Sequence, residues 1–291
     1  MNEASPIPAG EDPAVETDAA RPPMKGDLTQ GPILKTLLLF SLPMLLSNVL
    51  QTLNGSVNAI WVGRLIGESA LAATANANVI MFLLYAAVFG FGMATTVRVG
   101  QHFGARDVDA ARMTFGSGTG FCFALSLFVA GLGWIFAADL LDTLGTPDAS
   151  KLEALAYLRV IFITIPFGGI NMMVSMAMRG AGDSKTPMYA MILTVVIDAI
   201  FNPLLIMGIG PFPQLGIAGS ALATACANIA GMVYQIWRIY GQDLPMRLRG
   251  AELGYVLPRK SELRYIVTKG LPMGAQMLLV SSAGLIMVGL V

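Results

Sequence analysis

Charge is what this sequence has least of. Only 12% of its 291 residues are Asp, Glu, Lys or Arg, against about 25% in ordinary soluble domains. Most of the chain therefore does not face water. Formal net charge is zero, so no basic surface points to nucleic acid. Histidine occurs once, as His102 in a basic loop, where a solvated residue is the plain reading. The two cysteines, Cys122 and Cys226, lie in separate apolar runs and lack metal-ligand or CxxC spacing. They read as small buried hydrophobes. No cluster of His, Cys and carboxylates and no nucleophile motif appears, so the sequence offers no enzyme signature and no cofactor or metal site of its own.

What is abundant is apolar: 55% of residues are hydrophobic, with 32 Gly and 18 Met. Glycine is commoner in membrane helices, where small side chains let backbones approach. Methionine makes adaptable, polarizable surfaces, although each one singly is read first as core filling. Residues 1–30 are rich in Pro, Ala and acids and have no apolar stretch near the start. They read as a disordered cytoplasmic tail, not a cleaved signal.

Seven long apolar runs follow: 36–63, 69–97, 113–138, 160–178 (beginning near 154), 187–207, 215–237 and 270–291. A helix that crosses a bilayer needs about 20 apolar residues, and these runs meet or approach that length. They are continuous, not alternating, which predicts helices and excludes a barrel. The turn chemistry of Gly208-Ile209-Gly210-Pro211-Phe212-Pro213-Gln214 divides what would otherwise be one overlong run.

Loop charge predicts orientation, since basic residues collect on the cytoplasmic side. With the N-terminus inside, 15 of the 18 basic residues are cytoplasmic, and only Arg64, Lys151 and Arg159 fall outside. A plasma (inner) membrane protein with a cytoplasmic N-terminus is expected.

Leu42-Pro43-Met44 opens the first run and Leu271-Pro272-Met273 opens the seventh, each after a basic stretch. Six intervening spans return the chain to the same side, which suggests a duplicated six-helix unit. The fold class expected is an all-α membrane protein, with a six-helix lobe plus a seventh helix that begins a truncated second lobe. The divisions are a tail at 1–30, the lobe at 31–240, an inter-lobe linker at 241–265 and the new helix at 266–291.

Two polar constellations stand out. An ionisable residue within a span is costly and points to function. Asp198 is the acid placed deepest in a span, and Thr194, Asp198 and Asn202, four residues apart, share one helix face. Pro203 has no N–H, which frees the Ala199 carbonyl one residue from Asp198. Carboxylate, amide and carbonyl oxygens together suit a hard cation or a proton. Interhelical locking is the competing reading. The second constellation is a stripe on the first helix, Ser47, Gln51, Asn54 and Asn58, facing a cavity or serving as hydrogen-bond glue. Thr74/Asn78, Asn171/Ser175 and Thr224/Asn228 are read as glue. Gly180-Ala181-Gly182-Asp183 lacks the G-K-[ST] ending of a phosphate loop and reads as a tight turn.

Several segments resemble the MATE (multidrug and toxic compound extrusion) family. Gln51-Thr52-Leu53 and Val57 to Leu65 look like its first-helix motif. Gly90-Phe91-Gly92, Val99-Gly100-Gln101 and Phe103-Gly104-Ala105 look like its second helix and first inner loop. Arg179 to Pro187 and Asn202-Pro203-Leu204-Leu205-Ile206 resemble the start and end of its fifth helix. The resemblance covers roughly 26–291. It implies a secondary antiporter of twelve helices in two lobes, which exports hydrophobic or cationic drugs in exchange for H⁺ or Na⁺. Asp198, Asn202, Asn58 and Thr194 would then couple the ion, with Na⁺ at Asp198 the one metal implied, and Ser47, Gln51 and Asn54 would line the cavity. Its partners would be a small organic cation, the bilayer and a second six-helix lobe. Two departures stand out: Asn58 replaces a frequent Asp, and the usual Asn-to-Asp order of the fifth helix is reversed. A lipid-linked saccharide flippase of the same superfamily and an inactive truncated lobe are the alternatives; the absence of Lys or Arg at mid-span argues against the flippase.

Overall fold

A computed structural model describes residues 32–143 and 148–289. Within these, the side chains of 68–80, 83–84, 87, 143, 148–150, 153, 251 and 280–289 are left aside. The tail expected over 1–30 lies outside the described residues.

Among the described residues the structure is helical and contains no strand. The helices are α1 (Ile33–Leu65), α2 (Glu68–Gly104), α3 (Val108–Ile135), the short α4 (Ala137–Thr143), α5 (Asp148–Gly180), α6 (Lys185–Met207), α7 (Ile217–Gly241) and α8 (Lys260–Gly289). A 3-10 turn over Gly250–Val256 precedes α8. Among the described residues, five segments are long and apolar enough to cross a membrane: α1, α3, Ala154–Gly180 of α5, α6 and α7. At 37 and 30 residues, α2 and α8 are also long, but each contains a stretch whose side chains are left aside. The 33 residues of α1 span about 50 Å at 1.5 Å per residue.

The termini follow local chemistry. Asp107 caps α3, its carboxylate accepting from the Ala110 N–H at 2.9 Å. At the end of α6, Gly208 turns left-handed at φ 69° and its N–H returns to the Leu204 carbonyl. A side chain there would strike the backbone of Gln214 as well as strain the turn. This is the break that the Gly208–Gln214 stretch implies.

α5 is the hub, packing on α2, α3, α6 and α7. α6 lies along α7 and also supports α1, which touches little else. Leu34, Leu38, Leu42, Leu45 and Val49 of α1 are accordingly exposed, as suits a helix that faces lipid or another membrane segment. At one end of the bundle Val99 and Phe103 of α2, Ala177 and Met178 of α5 and Ile239 of α7 share an apolar cluster. Arg98, Arg179 and Arg238 sit on these same helix ends, so this is the basic end of the molecule.

Two features differ from the sequence reading. α8 begins at Lys260, ten residues before its apolar run, because Glu262 and Ile266 are buried against other helices at 5% and 0% exposure. The segment assigned as a linker is not loose: Leu244, Met246 and Leu248 are buried in the apolar cluster of the basic end.

α2 and α8 cross where both carry glycine. A Cβ at Gly90 would overlap the carbonyl of Gly270 and the backbone of Gly274. Gly90→Ala is therefore expected to destabilise the chain by about 1–3 kcal/mol through overpacking. Gly131 of α3 has nothing within 4 Å of an added Cβ, and Gly131→Ala should stay within about 0.5 kcal/mol of the parent. Thermal unfolding of the two purified variants in one detergent checks the ordering; equal unfolding temperatures would refute the close crossing.

Candidate functional site

α6 carries the polar centre. Thr194, Asp198 and Asn202 are 6%, 2% and 1% exposed, so the four-residue spacing does set all three on one inward face. Their partners divide them. The Asn202 Nδ2 donates to Asn58 Oδ1 of α1 at 3.0 Å. The Ser220 hydroxyl of α7 donates to the same oxygen at 2.8 Å. The Thr224 hydroxyl of α7 donates to Asp198 Oδ1 at 3.1 Å. The Asn54 side chain, one turn before Asn58, approaches the same carboxylate. Tyr157 of α5 is buried at 4% exposure and lies within the electrostatic field of Asp198. Asp198, Asn202, Asn58 and Asn54 thus meet where α1, α6 and α7 converge.

Thr194 shares the face but not the cluster. Its hydroxyl donates to the carbonyls of Ala190 and Ala227, at 2.9 and 3.3 Å, and so ties α6 to α7. Gly231 of α7 makes room for that hydroxyl.

The first-helix stripe divides in the same manner. Asn54 and Asn58 join the centre. Ser47 is buried, but its hydroxyl returns to the Pro43 carbonyl of its own helix at 2.8 Å, the local back-bonding open to serine one turn above a proline. Gln51 is exposed. Helical phase alone grouped four residues, but α1 is covered by α6 only along part of its length.

The α7 contribution was the least visible in the sequence. Ser220 carried no assignment, and Thr224 was paired with Asn228 as glue. Ser220, Thr224 and Asn228 recur every four residues in the apolar first part of α7, the same signal that identified Asp198. Asn228 does serve the glue: its amide donates to the Thr224 carbonyl at 2.9 Å and accepts from Asn171 at 3.4 Å. Toward the basic end Gln235, fully buried, binds Asn171 and Ser175 of α5. The side chains of Thr74 and Asn78 lie outside the described residues.

The cluster leaves electrostatic business unfinished. Among the described residues no ion pair involves Asp198. The side-chain oxygens of Asn54 and Asn202 are buried without a hydrogen-bond donor. A buried acceptor without a donor costs about 1–3 kcal/mol, so these two oxygens are open to a donor or a cation. Carboxylate, amide and hydroxyl oxygens are the ligands that a hard cation prefers, and a proton on the carboxylate would supply the missing donor.

Comparison with known proteins agrees with this architecture. The family model described as MatE matches residues 43–204. "Probable multidrug resistance protein YoeA" of Bacillus subtilis is 34% identical over 247 residues, which are 85% of this chain and 53% of that protein. "Probable multidrug resistance protein YpnP" of the same organism is 30% identical over 88% of this chain and 55% of its own length. The chain therefore spans about half the length of the curated relatives it matches. A solved MOP superfamily transporter from Pyrococcus furiosus shares the fold with TM-score 0.80 at 23% identity, over 91% of this chain and 57% of that one. Bearing the family's signature over residues 43–204 and aligned along most of its length with multidrug resistance proteins, this multi-pass membrane chain belongs to the MATE family.

Proposed function

We propose that this chain forms one lobe of a secondary transporter that exports hydrophobic or cationic compounds in exchange for H⁺ or Na⁺, and that the ion binds at Asp198. One observation carries the reading. A buried carboxylate without a countercharge stands beside two buried amide oxygens without donors. In this mechanism Asp198 supplies the charge, while Asn54, Asn202 and the Thr224 hydroxyl complete the oxygen set.

Export follows if ion and drug favour different conformations, since a ligand moves an equilibrium only by its differential affinity for the two states. The cluster joins α1 to α6 and α7, and α1 has little other support. Ion occupancy is therefore placed to draw α1 against α6 or release it. The exposed leucines of α1 suit a second six-helix lobe across the transport path. The basic end faces the cytoplasm in this reading, as the loop charges require, and the membrane is the bacterial plasma membrane.

Ion binding has a signature that needs no substrate, because a ligand specific to the folded state stabilises it by about 2.7 kcal/mol at 100 times its Kd. Na⁺ or acid is expected to raise the unfolding temperature of the purified chain, and Asp198→Asn should remove that response. An unchanged response in Asp198→Asn would overturn the assignment.

Thr224→Val removes a hydrogen bond to a charged group, worth about 1.5–3 kcal/mol. It should weaken the ion response by roughly 10–100-fold in concentration, at about 1.4 kcal/mol per factor of ten. In cells that express the gene, Asp198→Asn is expected to abolish ion-driven ethidium efflux. Efflux that persisted with the same pH and Na⁺ dependence would show that coupling lies elsewhere.

Asn58→Leu strands two buried donors, Asn202 Nδ2 and the Ser220 hydroxyl, and should cost about 1–3 kcal/mol for each. Asn58→Asp keeps the acceptor and should fold. Equal stability of the two variants would contradict the shared hydrogen bond.

A further inference from the structure

The segment between α7 and α8 is fastened to the first lobe by contacts of several independent kinds. Leu244, Met246 and Leu248 alternate inward and are buried among residues of α2, α3, α5 and α7. Arg112 of α3 holds the segment twice, through Nε to the Pro245 carbonyl at 2.8 Å and through Nη1 to Glu252 Oε1 at 3.0 Å. The Tyr240 hydroxyl donates to the Leu248 carbonyl at 3.1 Å. Asp243, left-handed at φ 49°, accepts from Arg249 and Arg247, which hold its carboxyl below the usual carboxylate range.

The 3-10 turn then lies directly on the backbone of α3. A Cβ at Gly116 would come within 2.8 Å of Tyr255, and one at Gly120 would overlap the Val256 carbonyl. Between these glycines the Ser117 hydroxyl donates to the Tyr255 carbonyl at 3.3 Å.

The start of α8 is held as firmly. Glu262, 5% exposed, accepts from the Thr114 hydroxyl at 2.9 Å and pairs with Arg98 at 3.6 Å. Arg98 also stacks on Tyr265. Ile266 is fully buried with Val88, Phe91, Cys122 and Met173. One turn later Gly270 and Gly274 meet Gly90.

Past that crossing the character changes. None of residues 275–279 is buried, and Leu279 is 71% exposed. Pro272 stands inside the helix between the two glycines and leaves the Thr268 carbonyl without its helical donor, the usual cause of a kink.

We infer that residues 244–269 move as part of the first lobe, and that the flexing point toward any further membrane segments is Gly270-Leu271-Pro272-Met273-Gly274 of α8, not the connecting segment before it. The strap is thus a fixed brace across the basic end. Alternating access places the motion between lobes, and the brace sends that motion into α8. The fastening stands without the transport reading; only the efflux arm of the test rests on it.

The test uses the chain with Cys122→Ala and Cys226→Ala and the pair Ser117→Cys and Arg259→Cys; the backbone N–H of Arg259 lies 3.5 Å from the Ser117 hydroxyl, which brings the two positions within reach of a short linker. A short bifunctional thiol reagent should cross-link strap to α3 completely, with the same yield at acid and neutral pH and with or without Na⁺. Ethidium efflux should survive the cross-link, whereas Pro272→Ala should slow efflux without changing the yield. A yield that varies with ion conditions, or efflux lost on cross-linking and restored by reduction, would overturn the inference. If the reduced protein exports nothing, the transport reading fails and the yield alone decides the brace.

Hydrogen exchange of the unsubstituted chain covers a double-cysteine chain that does not fold. The amides of Leu244, Arg247, Glu252 and Leu257, all hydrogen-bonded, should exchange no faster than those of α3 in every ion condition, and ion-dependent opening would overturn the brace.

Discussion

Hydrocarbon accepts no hydrogen bonds, and that constraint orders this molecule. Each backbone N–H and carbonyl within the bilayer must find a partner inside the protein, which leaves long helices as the solution for a chain with continuous apolar runs. The same demand falls on side chains. Thr95, Thr119 and Ser47 satisfy their hydroxyls on the carbonyl one turn back. Gln235 spends its amide on α5. Trp61 Nε1 and Ser126 Oγ are also buried without a partner, but only around Asp198 does a carboxylate share one cluster with two such amide oxygens, those of Asn54 and Asn202, among the described residues.

Most of the helical plan was legible in the sequence because it rests on run length and turn chemistry. The divide between α6 and α7 was readable in Gly208 and its neighbours, since a left-handed residue pressed against Gln214 leaves little choice but glycine. The face shared by Thr194, Asp198 and Asn202 followed from helical geometry. The fate of each side chain on that face did not. Whether a threonine hydroxyl turns to a carboxylate, as Thr224 does, or to a neighbouring carbonyl, as Thr194 does, depends on the helix packed opposite. The same limit separated Asn54 and Asn58 from Ser47 and Gln51.

The connecting segment shows a different limit. Its basic residues counted toward the cytoplasmic side, and two of them act at close range: Arg249 on Asp243, Arg259 on the Tyr255 ring. Its apolar residues are too few and too widely spaced to register as a run. The matching signal lay far away, in Gly116 and Gly120 of α3, whose spacing in the sequence suits a close approach of helices. They do pack closely, but against a 3-10 turn. A small-residue stripe reports that something approaches a helix, and not what approaches it.

The bond between Asn202 and Asn58 spans 144 residues of sequence. At synthesis rates of about 5–20 residues per second, the amide of Asn58 waits roughly 7–30 s for α6 to emerge. Ser220, its other donor, comes later still. Throughout that interval α1 presents unpaired amides on a helix that has little else to lean on. The nascent first helix is therefore ill suited to early release into lipid, and its natural shelter is the insertion machinery or a hydrated crevice beside it. The residues that complete the polar cluster thus also set the order in which this lobe can be assembled.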